Sequence, residues 1–287
     1  MKVFLLYSFL FLQSWTFSQV DNDRADTMHY KIVVLGSSTA AGTGPKKKKN
    51  TWVNRYRRYV KNLMPQAEVI NLAVGGYTTY HLMPSDIKNP QDRQQADTLR
   101  NITTAIAENP DIIIVNLPSN DMAWGYSYEE QIQNFDTIVA RAKMNNIPIW
   151  LCTTQPRNFE PERRTLQFNM KDSMERIYKG ETIDFWTDFS MSDHSINPIY
   201  DAGDGVHMND EAHAILFKIV AETVPLPILL PITSAETINA LTKDDELVVV
   251  SPPHSEKGPC KLCRKKRREQ RKLQRKKRRL ERKQNRK

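Results

Sequence analysis

Cysteine is scarce in this chain, and its scarcity excludes one class of protein. Only three cysteines occur among 287 residues, so the fold cannot be a small scaffold held together by several disulfides. Cys260 and Cys263 are separated by two residues, but no second pair of Cys or His ligands lies near them. A local disulfide or two free thiols is therefore a better interpretation of this pair than a zinc site.

Long hydrophobic runs are also missing. The apolar stretch at residues 3–12 is far shorter than the roughly 20 residues that a membrane-spanning helix requires. It precedes Thr16-Phe17-Ser18, a small-x-small sequence that suits signal-peptidase cleavage before Gln19. We therefore predict a signal peptide over residues 1–18, a secreted or periplasmic protein, and no membrane anchor.

Acidic residues are nearly absent from the C-terminus. Residues 257–287 contain 18 Lys and Arg against Glu269 and Glu281, which gives this polybasic tail a net charge of +16 and leaves −7 for the rest. A helix in the tail would be polar nearly all round, so disorder in isolation is expected. The composition favours attachment to an anionic surface, either lipid headgroups or acidic polysaccharide, over a merely solubilising role. Nucleic acid is not expected as a partner of a secreted protein.

Between the termini, short apolar runs alternate with longer amphipathic segments, a pattern typical of a parallel sheet covered by helices. Strands are predicted at residues 30–35, 68–72, 111–117, 147–153 and 182–185. Helices are predicted at residues 52–63, 97–108, 128–144, 164–178 and 210–224. The expected fold class is α/β, with a doubly wound, flavodoxin-like parallel sheet in an α/β/α sandwich. This domain spans residues 30–224, after an N-terminal linker at 19–29 and before a Pro-containing linker or docking element at 225–256.

Polar segments follow the first three predicted strands, and a fourth precedes the last helix. They are residues 36–38, 75–79, 118–121 and 204–207. The carboxyl ends of parallel strands share one edge of a sheet, where ligands bind in this class of fold. Each segment alone is more commonly a turn or a capping pair. Four of them at one edge predict a functional site.

The chemistry of these segments is that of a serine hydrolase. A serine hydroxyl needs a base to take its proton, and His207 is the candidate base for Ser38. Asp204, three residues before His207, could lie on the same side of a helical turn and hold the other ring nitrogen. The backbone N–H groups of Ser38 and Gly76 and the side-chain amide of Asn120 are candidate donors to an oxyanion.

The same segments resemble the four motif blocks of the SGNH or GDSL family of serine hydrolases. The matching blocks are residues 35–42, 71–78, 118–121 and 204–209. By this resemblance Ser38 is the nucleophile, Gly76 and Asn120 are oxyanion donors, and Asp204 with His207 forms the relay.

Two positions depart from the family pattern. Ser37 stands where the family usually has Asp, which leaves open which of two adjacent serines attacks. Pro118 stands where the family usually has Gly, two residues before the oxyanion Asn. Because proline lacks an N–H and fixes φ near −65°, we expect the loop that presents Asn120 to follow a different path.

Other sites are weaker interpretations. A dinucleotide-binding turn requires the spacing G-x-G-x-x-G, which residues 36–44 lack. Asp201, Asp204 and His207 are better explained as a hydrogen-bonded loop than as metal ligands, so neither metal nor cofactor is predicted. His194 lies in a polar loop and His213 lies within the last helix, which makes both poorer bases than His207.

The resemblance implies a secreted enzyme that cleaves carboxyl esters through an acyl-enzyme intermediate. Without lid-like apolar insertions, a short-chain acetyl esterase acting on a carbohydrate or another small ester is the first expectation. Aromatic residues near the predicted rim could contact a sugar ring or an acyl chain, or could belong to the core: Tyr77, Tyr80, Trp124, Tyr126 and Tyr128. The alternatives are a lipase or thioesterase of the same family, or a non-catalytic surface-binding protein that uses the fold and the basic tail. The sequence leaves the oligomeric state open.

Overall fold

A computed structural model describes residues 29–227, which contain one parallel sheet. Its strands are β1 (Lys31–Gly36), β2 (Glu68–Asn71), β3 (Ile112–Asn116), β4 (Ile149–Cys152) and β5 (Thr182–Ile183). All neighbouring strands pair in parallel, in the order β2-β1-β3-β4-β5. This is the flavodoxin-like strand order, so the predicted fold class is confirmed.

Helices connect the strands. They are α1 (Ser38–Ala41), α2 (Trp52–Leu63), α3 (Thr79–Leu82), α4 (Ile102–Ala107), α5 (Asn120–Trp124), α6 (Tyr128–Met144), α7 (Pro161–Ile177) and α8 (Asp210–Thr223). A 3₁₀ turn, Lys48–Asn50, precedes α2. The three four- or five-residue helices α1, α3 and α5 were not predicted, and each lies at the carboxyl edge of the sheet beside the candidate site.

Both faces of the sheet are covered, as β1 illustrates. Alternate residues of a strand point to opposite faces, and Ile32 and Val34 pack with residues of α2 and α8. Val33 and Leu35 belong to a second core, with residues of α4, α6 and α7. All four side chains are fully buried. Burial on two faces explains why this strand is continuously apolar instead of alternating.

Side-chain caps determine where the longer helices begin. Thr51 accepts a hydrogen bond from the backbone N–H of Asn54 at the start of α2, and Asn209 caps α8 in a similar way. Ser127 and Glu130 form a reciprocal capping box at the start of α6. The predicted bounds of α2 and α6 are confirmed because these caps are local in sequence.

The helix predicted at residues 97–108 is wrong in its first half, since α4 begins only at Ile102. Asn101 caps α4 by accepting from the backbone N–H of Thr104, while its amide group donates to the Met83 carbonyl 3.0 Å away. Asp97 is held outside the helix, because its backbone N–H donates to the carbonyl of His81. Contacts with the segment before α4 therefore override the helical pattern of residues 97–101.

The predicted signal peptide (residues 1–18) and polybasic tail (257–287) lie outside the described residues, as do most of the linkers at 19–29 and 225–256. Cys260 and Cys263, predicted as a local disulfide or two free thiols, also lie outside the described residues. Cys152, in β4, is a buried free thiol. Within residues 29–227, no helix combines the length and apolar composition needed to cross a membrane.

Candidate active site

The turn after β1 brings Ser38 to the carboxyl edge of the sheet. Gly36 pairs with Asn116 in the neighbouring strand, and a Cβ added to Gly36 would lie 2.4 Å from the Asn116 carbonyl oxygen. Only glycine fits this approach. The same carbonyl oxygen accepts from the backbone N–H of Ser37 at 3.0 Å, which fixes the turn just before α1 begins at Ser38.

The two adjacent serines occupy different environments. Ser37 has no exposed surface, and its Oγ accepts a hydrogen bond of 2.6 Å from the side-chain amide of Asn120. Ser38 is 8% exposed, and its hydroxyl has no hydrogen-bond partner among the described residues. The accessible hydroxyl is thus that of Ser38, whereas the Ser37 hydroxyl is committed to the loop that follows β3.

Three candidate donors to an oxyanion lie on the loops that follow β1, β2 and β3. The backbone N–H groups of Ser38 and Gly76 have no acceptor within residues 29–227. Gly76 is exposed and has φ of +88°, a conformation that favours glycine. The amide nitrogen of Asn120 donates both to Ser37 Oγ and, at 2.9 Å, to the carbonyl oxygen of Tyr77. These bonds tie together the loops after β1, β2 and β3, as the sheet topology predicted.

Pro118 does not disrupt the loop that presents Asn120. Its carbonyl oxygen accepts from the backbone N–H of Gln155, from the side-chain amide of Gln167 at 2.9 Å, and from the Thr154 hydroxyl. The loop after β3 is therefore anchored to the loop after β4 and to α7 through acceptor bonds that proline can still make.

Asp204 and His207 form a close pair before α8. His207 Nδ1 lies 2.6 Å from Asp204 Oδ2, and the backbone N–H groups of Val206 and His207 donate to Asp204 Oδ1. The carboxylate thus bonds both the ring and the bend that carries it, where the sequence suggested a helical turn. Partial burial opposes ionisation of Asp204, but the hydrogen bonds from His207 and Val206 prevail and lower its pKa to about 2.

The loop of His207 packs against the segment that follows Ser38. A Cβ on Gly44 would lie 1.9 Å from the Met208 carbonyl oxygen and 3.4 Å from His207 Cβ, so the two segments are in close contact there. Among the hydrogen bonds of residues 29–227, none joins the side chains of Ser38 and His207. Catalytic hydrogen bonds are often long until substrate is bound, so this geometry is compatible with a nucleophile and its base.

Asp201 has a structural role in the loop before His207. Its Oδ1 accepts from the backbone N–H groups of Gly203 and Gly205, at 2.9 Å each, and shapes the loop that leads to His207. Among residues 29–227, no three His, Cys, Asp or Glu side chains cluster as a metal site would require.

His81, His194 and His213 have structural roles. His213 is fully buried, and its Nδ1 accepts from the backbone N–H of Trp52 at the start of α2. Burial lowers the pKa of His213 to about 3, which keeps the ring neutral. His81 accepts from the backbone N–H of Thr78, and His194 stacks on Phe168.

Most rim aromatics belong to the core. Tyr77, Tyr80 and Tyr126 are buried, and Tyr80 packs edge-to-face against Tyr126. Tyr128 is partly buried against the same core. Trp124, at the end of α5, is 64% exposed, so it is the member of this group available to a ligand.

A buried carboxyl group beside Asn120 was missed. Asp121 is 4% exposed, and both of its oxygens accept from the backbone N–H of Thr79, whose hydroxyl also donates to Oδ1 at 2.6 Å. The sequence suggested a capping pair, whereas Asp121 joins α5 to α3. Burial raises the pKa of Asp121 to about 6, although the hydrogen bonds from Thr79 oppose this shift.

Asp121 should make the stability of the domain depend on pH. The pKa of Asp121 is about 6 in the folded protein and 3.8 in the ordinary case. Its contribution to the free energy of unfolding is therefore fully present below pH ~4 and is lost as pH rises through 6. The loss is roughly 3 kcal/mol. Urea unfolding between pH 4 and 7 should show this decline in the native protein and a flatter profile in Asp121→Asn. Identical slopes would contradict a buried, titrating carboxyl group.

Arg157, in the loop after β4, was also missed. Its Nη1 lies 3.5 Å from the hydroxyl of Ser119, the residue before Asn120. A single arginine in a loop carries no motif, so the sequence offered no signal for it.

Comparison with known proteins agrees with this architecture. The model of the GDSL-like lipase/acylhydrolase family matches residues 34–215. A G-D-S-L family protein from Desulfitobacterium hafniense DCB-2 superposes with a TM-score of 0.52 at 16% identity, over 68% of this chain and 99% of the other. The acetyl xylan esterase AlAXEase gives a TM-score of 0.50 at 17% identity, over 68% of this chain and 100% of the other. TesA gives a TM-score of 0.50 at 19% identity, over 69% of this chain and 99% of the other.

These identities establish a shared fold and no more. No protein of curated function shows significant sequence similarity to the chain. The family match, in contrast, covers more than half of the sequence and includes all four motif blocks. The chain therefore belongs to the GDSL-like lipase/acylhydrolase family, the SGNH family of serine hydrolases that its motif blocks resemble.

Proposed function

We propose that this protein is a secreted esterase in which Ser38 attacks the ester, His207 moves the protons, and Asp204 orients His207. One observation carries the proposal. The Asp204–His207 pair, joined at 2.6 Å, lies on a loop packed at Gly44 against the segment that follows Ser38, whose hydroxyl is unbonded among the described residues. A hydroxyl, a base and an orienting carboxylate at one edge are the requirements of covalent acyl transfer.

In the acylation step, His207 Nε2 takes the proton of Ser38 as Ser38 Oγ bonds to the carbonyl carbon. The carbonyl electron pair moves onto oxygen, which the N–H groups of Ser38 and Gly76 and the Asn120 amide can stabilise. The ester C–O bond then breaks, and His207 returns the proton to the departing alcohol. The carboxylate of Asp204, with its pKa of about 2, stays ionised near neutral pH and stabilises the protonated ring.

In the deacylation step, water repeats this sequence on the acyl-enzyme. His207 takes a proton from water, the hydroxide bonds to the acyl carbon, and Ser38 leaves with the proton that His207 returns. The products are a carboxylic acid and the regenerated serine. Asn120 participates if one of its two amide hydrogens turns from Ser37 Oγ or the Tyr77 carbonyl toward the oxyanion.

The proposed substrate is a short acyl ester, most simply an acetyl group on a carbohydrate. Exposed Trp124, four residues beyond Asn120, offers an aromatic face of the kind that packs on sugar rings. An acetyl xylan esterase shares the fold, which makes this substrate class compatible with the architecture. The proposed secretion rests on residues 1–18, and proposed attachment to an anionic surface rests on residues 257–287.

A panel of p-nitrophenyl esters tests both the activity and the acyl preference. We expect kcat/KM to decrease from acetate to butyrate to octanoate, measured by release of p-nitrophenol. A phosphonate ester inhibitor should add one phosphonyl group, located by mass spectrometry on Ser38. A preference for octanoate would favour a lipase or thioesterase of the same family. No hydrolysis and no labelling would favour the non-catalytic, surface-binding alternative.

A further inference from the structure

Arg157 reaches the loop that presents the oxyanion donor Asn120. Its guanidinium approaches Ser119, which precedes Asn120, at 3.5 Å. Burial lowers the pKa of Arg157, while the nearby Asp204 carboxylate raises it, so this cation lies within electrostatic range of the proposed relay. Arg157 therefore contacts the loop of the oxyanion donor, and the next residue, Asn158, bonds the loop of His207 through Gly205.

Two guanidinium groups in this region have no carboxylate partner. The guanidinium carbons of Arg157 and Arg163 both lie over the ring of Phe159, at 4.7 and 5.4 Å from its centroid, and neither side chain forms an ion pair within residues 29–227. A cation–π contact is not a hydrogen bond to an acceptor oxygen, so guanidinium N–H groups over a ring can still bind an anion. A planar edge of paired donors matches the oxygens of a carboxylate or sulfate group.

A cleft of about 500 Å³ contains this aromatic ring. It is lined by Asn158, Phe159, Glu160, Glu162, Arg163 and Leu166. Asn158 connects the cleft to the relay loop, because its backbone N–H donates to the Gly205 carbonyl oxygen at 2.8 Å. In the proposed reaction His207 gives its proton to the departing alcohol, so the alcohol part of the ester is expected on the side of this loop and the cleft.

We propose that Arg157 and Arg163 bind a carboxylate or sulfate on the alcohol part of the substrate, as in an acylated acidic sugar. This inference rests on the proposed function and specifies its substrate class. Glu160 and Glu162 lower the net charge of the cleft, but they lie at the start of α7, where the helix dipole favours acidic side chains. Recognition therefore depends on directed hydrogen bonds from the guanidinium edges more than on a broad positive field.

The test compares three acetyl esters with the same phenyl acetate core. They are 4-acetoxybenzoate, 4-acetoxybenzenesulfonate and the neutral methyl 4-acetoxybenzoate. In Arg157→Gln, kcat/KM for the better anionic ester should fall on the order of 10-fold to 100-fold further than kcat/KM for the neutral ester, as for loss of a charged hydrogen bond. The first two esters distinguish a carboxylate site from a site for sulfate-like groups. Arg164→Gln is the matched control, since Arg164 is paired with Asp193.

A binding measurement separates this inference from the proposed function. Ligand-observed NMR with the products 4-hydroxybenzoate, 4-hydroxybenzenesulfonate and methyl 4-hydroxybenzoate requires no turnover. Preferential binding of an anionic product by the native protein, lost in Arg157→Gln, would support the anion site even if no ester were hydrolysed. Equal binding of the three products, or equal loss of all three activities in Arg157→Gln, would overturn it.

Discussion

Replacing Ser38 with alanine is expected to lower kcat for p-nitrophenyl acetate by about 10⁴-fold or more, because the adjacent Ser37 hydroxyl is buried and bonded to Asn120 and cannot replace it. The loss should appear in kcat more than in KM, since the hydroxyl acts on the reacting carbon and contributes little to binding. Residual hydrolysis would reflect the oxyanion donors Gly76 and Asn120, which remain in the variant. Steady-state kinetics, with circular dichroism to verify folding, would measure this effect.

Ser37→Ala is the matched control, because it removes the adjacent hydroxyl. Ser37 Oγ is buried and accepts from Asn120 at 2.6 Å, so its removal should leave the nucleophile in place and loosen one oxyanion donor. We expect kcat to fall by about 10-fold, which is less than the ~10²-fold or greater decrease in kcat when such a donor is deleted. If Ser37→Ala abolished activity and Ser38→Ala retained it, the assignment of the two serines would be reversed.

The sheet and the placement of the site follow from patterns that are local in sequence. Continuous apolar strands such as β1 occur where both faces are covered, and the polar segment after each strand must then lie at one edge. Ser127 with Glu130 determines the start of α6 through a cap only three residues long. Positions governed by strand burial or by adjacent caps were predicted to within a few residues.

The parts that the sequence could not predict depend on contacts between distant segments. The helix predicted from residue 97 begins only after Asn101, whose side-chain amide bonds the Met83 carbonyl, 18 residues away. Asp121 bonds Thr79, 42 residues away, and Asn120 bonds Ser37 across 83 positions. Each of these polar side chains could be satisfied by neighbours in sequence alone, and the bond to a distant partner depends on the fold. Arg157 belongs to the same class.

Replacing Gly44, where the segment after Ser38 contacts the loop of His207, is expected to destabilise the protein strongly. Its φ is +110°, and a Cβ there would lie 1.9 Å from the Met208 carbonyl oxygen, a backbone atom that cannot turn aside. Gly44→Ala should therefore destabilise the domain by about 3–5 kcal/mol, which combines left-handed strain with overpacking. The loop of His207 would have to move, and a displacement of ~1 Å can lower kcat by about 100-fold.

Gly203→Ala separates the clash from the backbone strain. Gly203 has nearly the same φ, +113°, but nothing lies within 4 Å of its added Cβ. Gly203→Ala should lower the free energy of unfolding by only about 1–2 kcal/mol, because backbone strain alone acts there. It should leave kcat within a few-fold of the native value. Urea unfolding and p-nitrophenyl acetate kinetics on both variants measure the difference. If the two substitutions had equal effects, the segments of Ser38 and His207 would not be in contact at Gly44, and the proposed pairing of nucleophile and base would lose its structural support.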